Sequence, residues 1–84
     1  MTNNPLPPKS DHVLIKSFIV IFFNANPNCE FHGTSLNRFV YNRLNRYIYP
    51  DTIFRYMREL RQEGRIKYSV RSYADSIYRI LPLH

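Results

Sequence analysis

The sequence predicts a mostly α-helical domain closed by a small β-hairpin, in the order helix, helix, helix, strand, strand. Two stretches carry apolar residues at helical spacing, Leu36 to Tyr47 and Ile53 to Leu60. From Ile66 the spacing changes to strict alternation, and Gly64 stands at the change. The 84 residues leave room for one core, and seven Tyr with six Phe supply much buried area per residue.

Residues 1–10, with Pro5, Pro7 and Pro8, read as an extended arm, and residues 11–84 as the folded domain. Ser10 or Asp11 is positioned to cap a first helix running to about Asn24. Asn24-Ala-Asn-Pro-Asn28 breaks that helix, and the chain reads as loop through Gly33. Thr34 or Ser35 suits the cap of a second helix over about Leu36 to Tyr47, whose apolar face is Leu36, Phe39, Val40, Leu44 and Tyr47. Arg43 falls on the same face, so its stem is expected to pack while its head reaches water or a partner. Tyr47-Ile-Tyr49 makes a turn, and Pro50 fits the first position of a third helix, where a missing N–H costs nothing.

The third helix holds its core stripe on Ile53, Met57 and Leu60, and Gly64 ends it. Tyr49 stands where a Ser or Thr would cap it, a loss of about 1 kcal/mol. Phe54 lies beside the polar face, set to pack on a neighbouring element or on a ligand. Ile66, Tyr68 and Val70 then alternate with Lys67 and Ser69 as one strand, and Ser76 to Leu81 form a second with Tyr78 and Ile80 inward. Arg71 to Asp75 join the two as a loop.

The net charge of +6 falls wholly after residue 35. Before it, Lys9 and Lys16 are balanced by Asp11 and Glu30. After it, Arg38, Arg43, Arg46, Arg55, Arg58, Arg61, Arg65, Lys67, Arg71 and Arg79 outnumber Asp51, Glu59, Glu63 and Asp75. Clustered arginine of this kind suits a polyanionic partner, where a solvated basic surface is the plainer reading.

Asp51-Thr52-Ile53-Phe54-Arg55, then Leu60, Gly64, Ile66-Lys-Tyr68 and Ser76-Ile-Tyr78-Arg-Ile80, resemble the winged helix-turn-helix family over about residues 34–81. The resemblance implies a duplex DNA-binding protein whose third helix enters the major groove while the hairpin, the wing, meets the backbone or minor groove. On the wheel, Asp51, Arg55, Arg58 and Gln62 lie opposite the core stripe. With Thr52 near the helix start they are the expected base-reading residues. Thr34, Ser35, Arg38, Arg46, Lys67, Arg71 and Tyr73 are the expected backbone contacts. The implied role is a small transcriptional regulator, or a DNA-maintenance factor of a virus or mobile element. A protein-interaction module with a basic docking face is the other role open to the fold.

The first helix is apolar nearly all round. A second copy is therefore expected to cover Leu14, Ile15, Phe18, Ile19 and Phe22 and give a homodimer reading a palindromic site; the arm, through Leu6 and its prolines, is the competing cover. Phe18 to Phe23 is far short of the ~20 apolar residues that span a bilayer, and no signal-peptide layout opens the chain, so a cytoplasmic protein without membrane contact is expected. One cysteine, Cys29, excludes an internal disulfide. Cys29 with His32 falls short of the four ligands of structural zinc, while His12 and His84 sit towards the chain ends. No phosphate loop, paired carboxylates or nucleophile–base pair is present, so neither catalysis nor a cofactor or small-molecule ligand is expected.

Overall fold

A computed structural model describes residues 8–83, with side chains from His12 onward. Its elements are α1 (Pro8–Ala25), β1 (Glu30–His32), α2 (Gly33–Leu44), α3 (Pro50–Gln62), β2 (Tyr68–Ser72) and β3 (Ile77–Ile80). The fold is mostly helical, with a three-stranded antiparallel sheet in the order β1-β3-β2.

Helix α1 begins at Pro8 rather than at a Ser10 or Asp11 cap, as a proline is tolerated where the first turn has no N–H to satisfy. The rest of the expected arm, Leu6 included, lies outside the described residues. Asn28 turns the chain at φ 61, and Glu30–His32, read from sequence as loop, pairs with β3 as a third strand. Three residues are too few for alternation to show, and only the β3 partner makes them a strand.

Helix α2 starts at Gly33, not after Thr34 or Ser35. His32 takes the cap position without a side-chain bond, and the Gly33 N–H donates instead to the Ser76 carbonyl at 2.8 Å. The backbone of the hairpin thereby satisfies one of the helix's open donors. The helix stops at Leu44 because Asn45 adopts a left-handed conformation, φ 58, and returns its N–H to Tyr41. Tyr47, expected on the apolar face, lies past this end and is 61% exposed. Arg43 does straddle the face, its guanidinium 3.6 Å from the centre of the Phe39 ring.

Helix α3 opens on Pro50 with Tyr49 as an uncapped N-cap, and Gly64 at φ 75 follows its end. The positive φ allows the Arg65 N–H to reach back to Leu60 O at 3.0 Å. In the hairpin, β2 includes Arg71 and Ser72 with an irregular register between Val70 and Ser72, so the loop shrinks to Tyr73–Ser76. Strand β3 is shorter than expected because Ser76 turns at φ 54, and it ends at Ile80, although the Leu81 N–H still donates to the Lys67 carbonyl at 2.9 Å.

One core joins the layers. Ile15, Ile19, Phe22 and Phe23 of α1 meet Leu36 and Val40 of α2, Ile53, Met57 and Leu60 of α3, and Phe31, Tyr68 and Ile80 of the sheet. Edge-to-face rings, Phe22 on Phe31 and Phe39 and Phe23 on Phe31, fill the junction of α1 with β1 and α2. Ile15, Ile19 and Phe22, assigned from sequence to a contact between copies, are thus spent inside the chain's own core.

Candidate nucleic-acid interface

Helix α3 sorts its charges by side. Thr52, Tyr56 and Glu59 fall at i, i+4, i+7 and share the flank where α1 packs. There the His12 ring meets Tyr56 edge-on at 4.5 Å, and Lys16 Nζ bridges Glu59 at 3.0 Å and Glu63 at 2.7 Å. The two carboxylates hold the Lys16 ammonium above its usual pKa, the Glu63 hydrogen bond most strongly, and Lys16 pulls Glu59 below the usual carboxylate range. One lysine on α1 therefore draws the second half of α3's acidity to one side.

The remaining surface of α3 is left to cations. Arg55 is exposed, its guanidinium 5.0 Å from the Tyr56 ring and donating to the Tyr56 hydroxyl at 3.4 Å. Arg58 is exposed and makes no ion pair or hydrogen bond among the described residues. Arg61 lies over the Tyr68 ring at 4.5 Å. No carboxylate lies within ion-pair distance of these three among the described residues. Asp51 and Gln62 are exposed at the two ends of the same helix. Of the five expected base-reading residues, Asp51, Arg55, Arg58 and Gln62 share the outer stripe, while Thr52 is half-buried on the α1 flank.

The expected backbone contacts divide into separate groups. The Gly33–Ser76 hydrogen bond, with the Phe54 ring lying on Gly33 and 5.9 Å from the Tyr78 ring, gathers the start of α2, the tip of the hairpin and the first half of α3 at one end. Thr34 and Ser35, both exposed, and Tyr73, 83% exposed, belong to that end, and Arg38 follows one turn along α2. Phe54 is thereby committed to the protein. Arg46 is exposed in the link between α2 and α3.

Arg71 and Lys67 stand elsewhere. Arg71 reaches Glu30 on β1 at 3.2 Å, and Arg79 approaches the same carboxylate at 3.8 Å, so both lie across the sheet surface that faces away from the core. Lys67 precedes β2 at the foot of the hairpin, about 20 Å along the strand from Tyr73 at ~3.3 Å per residue. It borders a hollow of about 280 Å³ with Phe23, Pro27, Arg65 and Leu83.

In sequence Arg61 counts only toward the basic charge, and Tyr68 and Tyr78 only as strand residues. With Phe54, Arg58 and Tyr73 they border a cleft of about 80 Å³ between α3 and the hairpin. Burial raises the pKa of both the Tyr68 and Tyr78 phenols. The signal was present: Phe54, Arg58 and Arg61 sit at i, i+4, i+7, the stripe that turns toward whatever follows Gly64.

Cys29 and His32 are both exposed, and no group of three His, Cys, Asp or Glu side chains able to hold a metal occurs among the described residues. No described helix is long and apolar enough to cross a membrane. Set against known proteins, neither a family model, a curated protein nor a solved structure matches this chain.

Proposed function

We propose that the chain is a winged-helix protein that binds duplex DNA sequence-specifically, with α3 in the major groove and the β2–β3 hairpin as the wing. The observation that carries this reading is the division of charge on α3. Lys16 holds Glu59 and Glu63 on the α1 flank, and Arg55 and Arg58 occupy the outer stripe with no carboxylate partner among the described residues. A helix with an apolar inner face and an arginine outer face suits a groove whose base edges accept bidentate guanidinium bonds. Over residues 34–81 the order α2-α3-β2-β3, with Arg61 of α3 over the Tyr68 ring of the hairpin, supports this reading. The role in keeping with this activity is a small transcriptional regulator, or a maintenance factor of a virus or mobile element.

A second copy completes the site. Leu14, Phe18, Ile21 and Ala25 repeat at spacings of four, three and four, the pattern of a helix–helix seam, and bear no charge. Leu14 is 40% and Ile21 48% exposed, with Val13 beside them at 65%. A two-fold contact along this seam would present two α3 helices to a palindromic site.

Selection of bound duplexes from a random pool, followed by salt titration, tests the reading. The expected result is an enriched palindromic sequence and a steep log–log loss of affinity with salt. Absence of affinity for any duplex at low salt would overturn it in favour of a protein-docking module. The feature favouring that second reading is the exposed cluster of Tyr47 and Tyr49, rings 5.4 Å apart, since exposed tyrosines are enriched where proteins meet.

A further inference from the structure

We propose that the cleft between α3 and the hairpin is a seat for a single phosphate group, held by Arg58 and Arg61 from the helix and by Tyr73 from the hairpin tip. The proposal makes Arg58 a phosphate ligand rather than a reader of bases. It rests on the duplex reading only for the source of the phosphate.

Three features of the cleft select this ligand. Its only charges are positive: Arg58 and Arg61 line it with three tyrosines and the apolar Phe54, Met57 and Val70, and no carboxylate does. Its size admits a small anion: about 80 Å³ is several times the roughly 10–15 Å³ that one water needs, room for a tetrahedral oxyanion. Its donors approach from different walls, guanidinium N–H groups from α3 and phenol O–H from the hairpin. That arrangement fits a tetrahedral group better than a planar carboxylate.

The seat is also organised before any ligand arrives. Arg61 is fixed over the Tyr68 ring at 4.5 Å, and Tyr68 meets Tyr78 edge-on at 5.7 Å, so the floor is a packed aromatic wall. The charge of Arg58 acts on the buried Tyr68 and half-buried Tyr78 phenols, opposing the larger effect of burial. Arg58 itself has no ion pair or hydrogen bond to give up among the described residues, and Tyr73 holds an 83% exposed ring beside the opening. An exposed tyrosine at a hairpin tip contributes nothing to the core, and a ligand beside it gives its hydroxyl a use.

The test uses the whole chain with ¹⁵N-labelled arginine side chains, titrated with inorganic phosphate against chloride at matched ionic strength. Saturable shifts at the Nε–H of Arg58 and Arg61, lost in Arg58→Gln and weakened in Tyr73→Phe, are expected. Equal, non-saturating shifts at all arginines would overturn the seat, whether or not the protein binds duplex. A second arm places one uncharged methylphosphonate at each backbone position of the selected duplex. If the seat takes a backbone phosphate, one linkage weakens the wild-type protein about as much as Arg58→Gln does, and Arg58→Gln is indifferent to that linkage. The same variant lowers the salt slope by about one. Saturable phosphate shifts without any sensitive linkage assign the seat to a free phosphate monoester, and with no duplex binding at all they leave the seat standing while the duplex reading falls.

Discussion

The outer edge of the Phe54 ring presses on the one position in α2 that has no side chain: a Cβ on Gly33 would come within 2.5 Å of Phe54 Cζ. Gly33 is buried at the first turn of α2, and its N–H is bound to Ser76. The contact therefore locks the start of α2 to α3 and to the hairpin tip, and it fixes the spacing of the helix pair that carries the arginine face. Gly33→Ala is expected to cost about 1–2 kcal/mol in urea unfolding, because the ring must move into an aromatic wall already occupied by Tyr78. Phe54→Leu on that background should recover part of the loss. Additive effects in the double-mutant cycle would show that the two residues do not press on one another.

Asn37 is the one polar residue among the described side chains that is buried, 6% exposed, and its Oδ1 has no hydrogen-bond partner. An unpaired buried acceptor retains its desolvation cost, so Asn37→Leu, with the same branching, should raise the stability by about 1 kcal/mol. The check is the urea midpoint at unchanged m value. A lower midpoint would mean that the amide holds a bond that the leucine cannot replace.

The bridge of Lys16 with Glu59 and Glu63 gives stability a defined pH window. Glu59 is held below its ordinary 4.5, so its contribution is present above that value and is lost as pH falls through the lower folded-state value. Lys16 is held above its ordinary 10.5, so its contribution is present below 10.5 and is lost as pH rises through the higher folded-state value. Thermal unfolding of Lys16→Met should show a weaker dependence on pH at both ends than the wild-type chain. Parallel profiles at both ends would mean that solvent screens the bridge completely. The same variant releases Glu59 and Glu63 from α1, and should weaken duplex binding through their freed negative charge.

Within the duplex reading, Arg55→Ala should cost about 1–3 kcal/mol on the selected site and relax preference at one base position. Lys67→Ala should weaken all duplexes alike and lower the salt slope by about one, the mark of a phosphate contact. Lys67 lies at the foot of the hairpin, so an unchanged slope would confine the DNA-contacting surface to the end where Thr34, Ser35 and Tyr73 gather. Competition binding of each variant to the selected and a scrambled duplex separates these outcomes.

How far these features were legible in sequence depends on the range of the forces behind them. The apolar period fixed Ile53, Met57 and Leu60 as core, and Gly64 marked the end of α3, because both are local. The third strand was invisible: Glu30–His32 has no pattern of its own and exists through pairing with residues 77–79. The cap of α2 was misplaced for a like reason, since its first N–H is satisfied by Ser76, forty-three residues away, and not by Thr34 or Ser35. The outer stripe of α3 was readable from its period. That Lys16 would draw off Glu59, or that Glu30 would engage Arg71, was not, for these pairs are set by the packing of α1 and the sheet register.

Helix α1 shows the same division, and its exposed side yields the last prediction. Uniform hydrophobicity hid which side faced inward; the packing assigns Ile15, Ile19 and Phe22 to the core and leaves Val13, Leu14 and Ile21 outside, with Phe18 half-buried between. Exposed aliphatic side chains in one row are a cost that a two-fold seam removes at about 25 cal/mol per Å² of apolar surface. Ile21→Asp places a charge in the middle of that seam and leaves the core untouched. Light scattering should find the wild-type chain a dimer and Ile21→Asp a monomer of equal thermal stability at low concentration. Duplex affinity for a palindrome should fall while affinity for a half-site is retained, because each copy keeps its own α3. A wild-type chain that stays monomeric at high micromolar concentration would overturn the dimer.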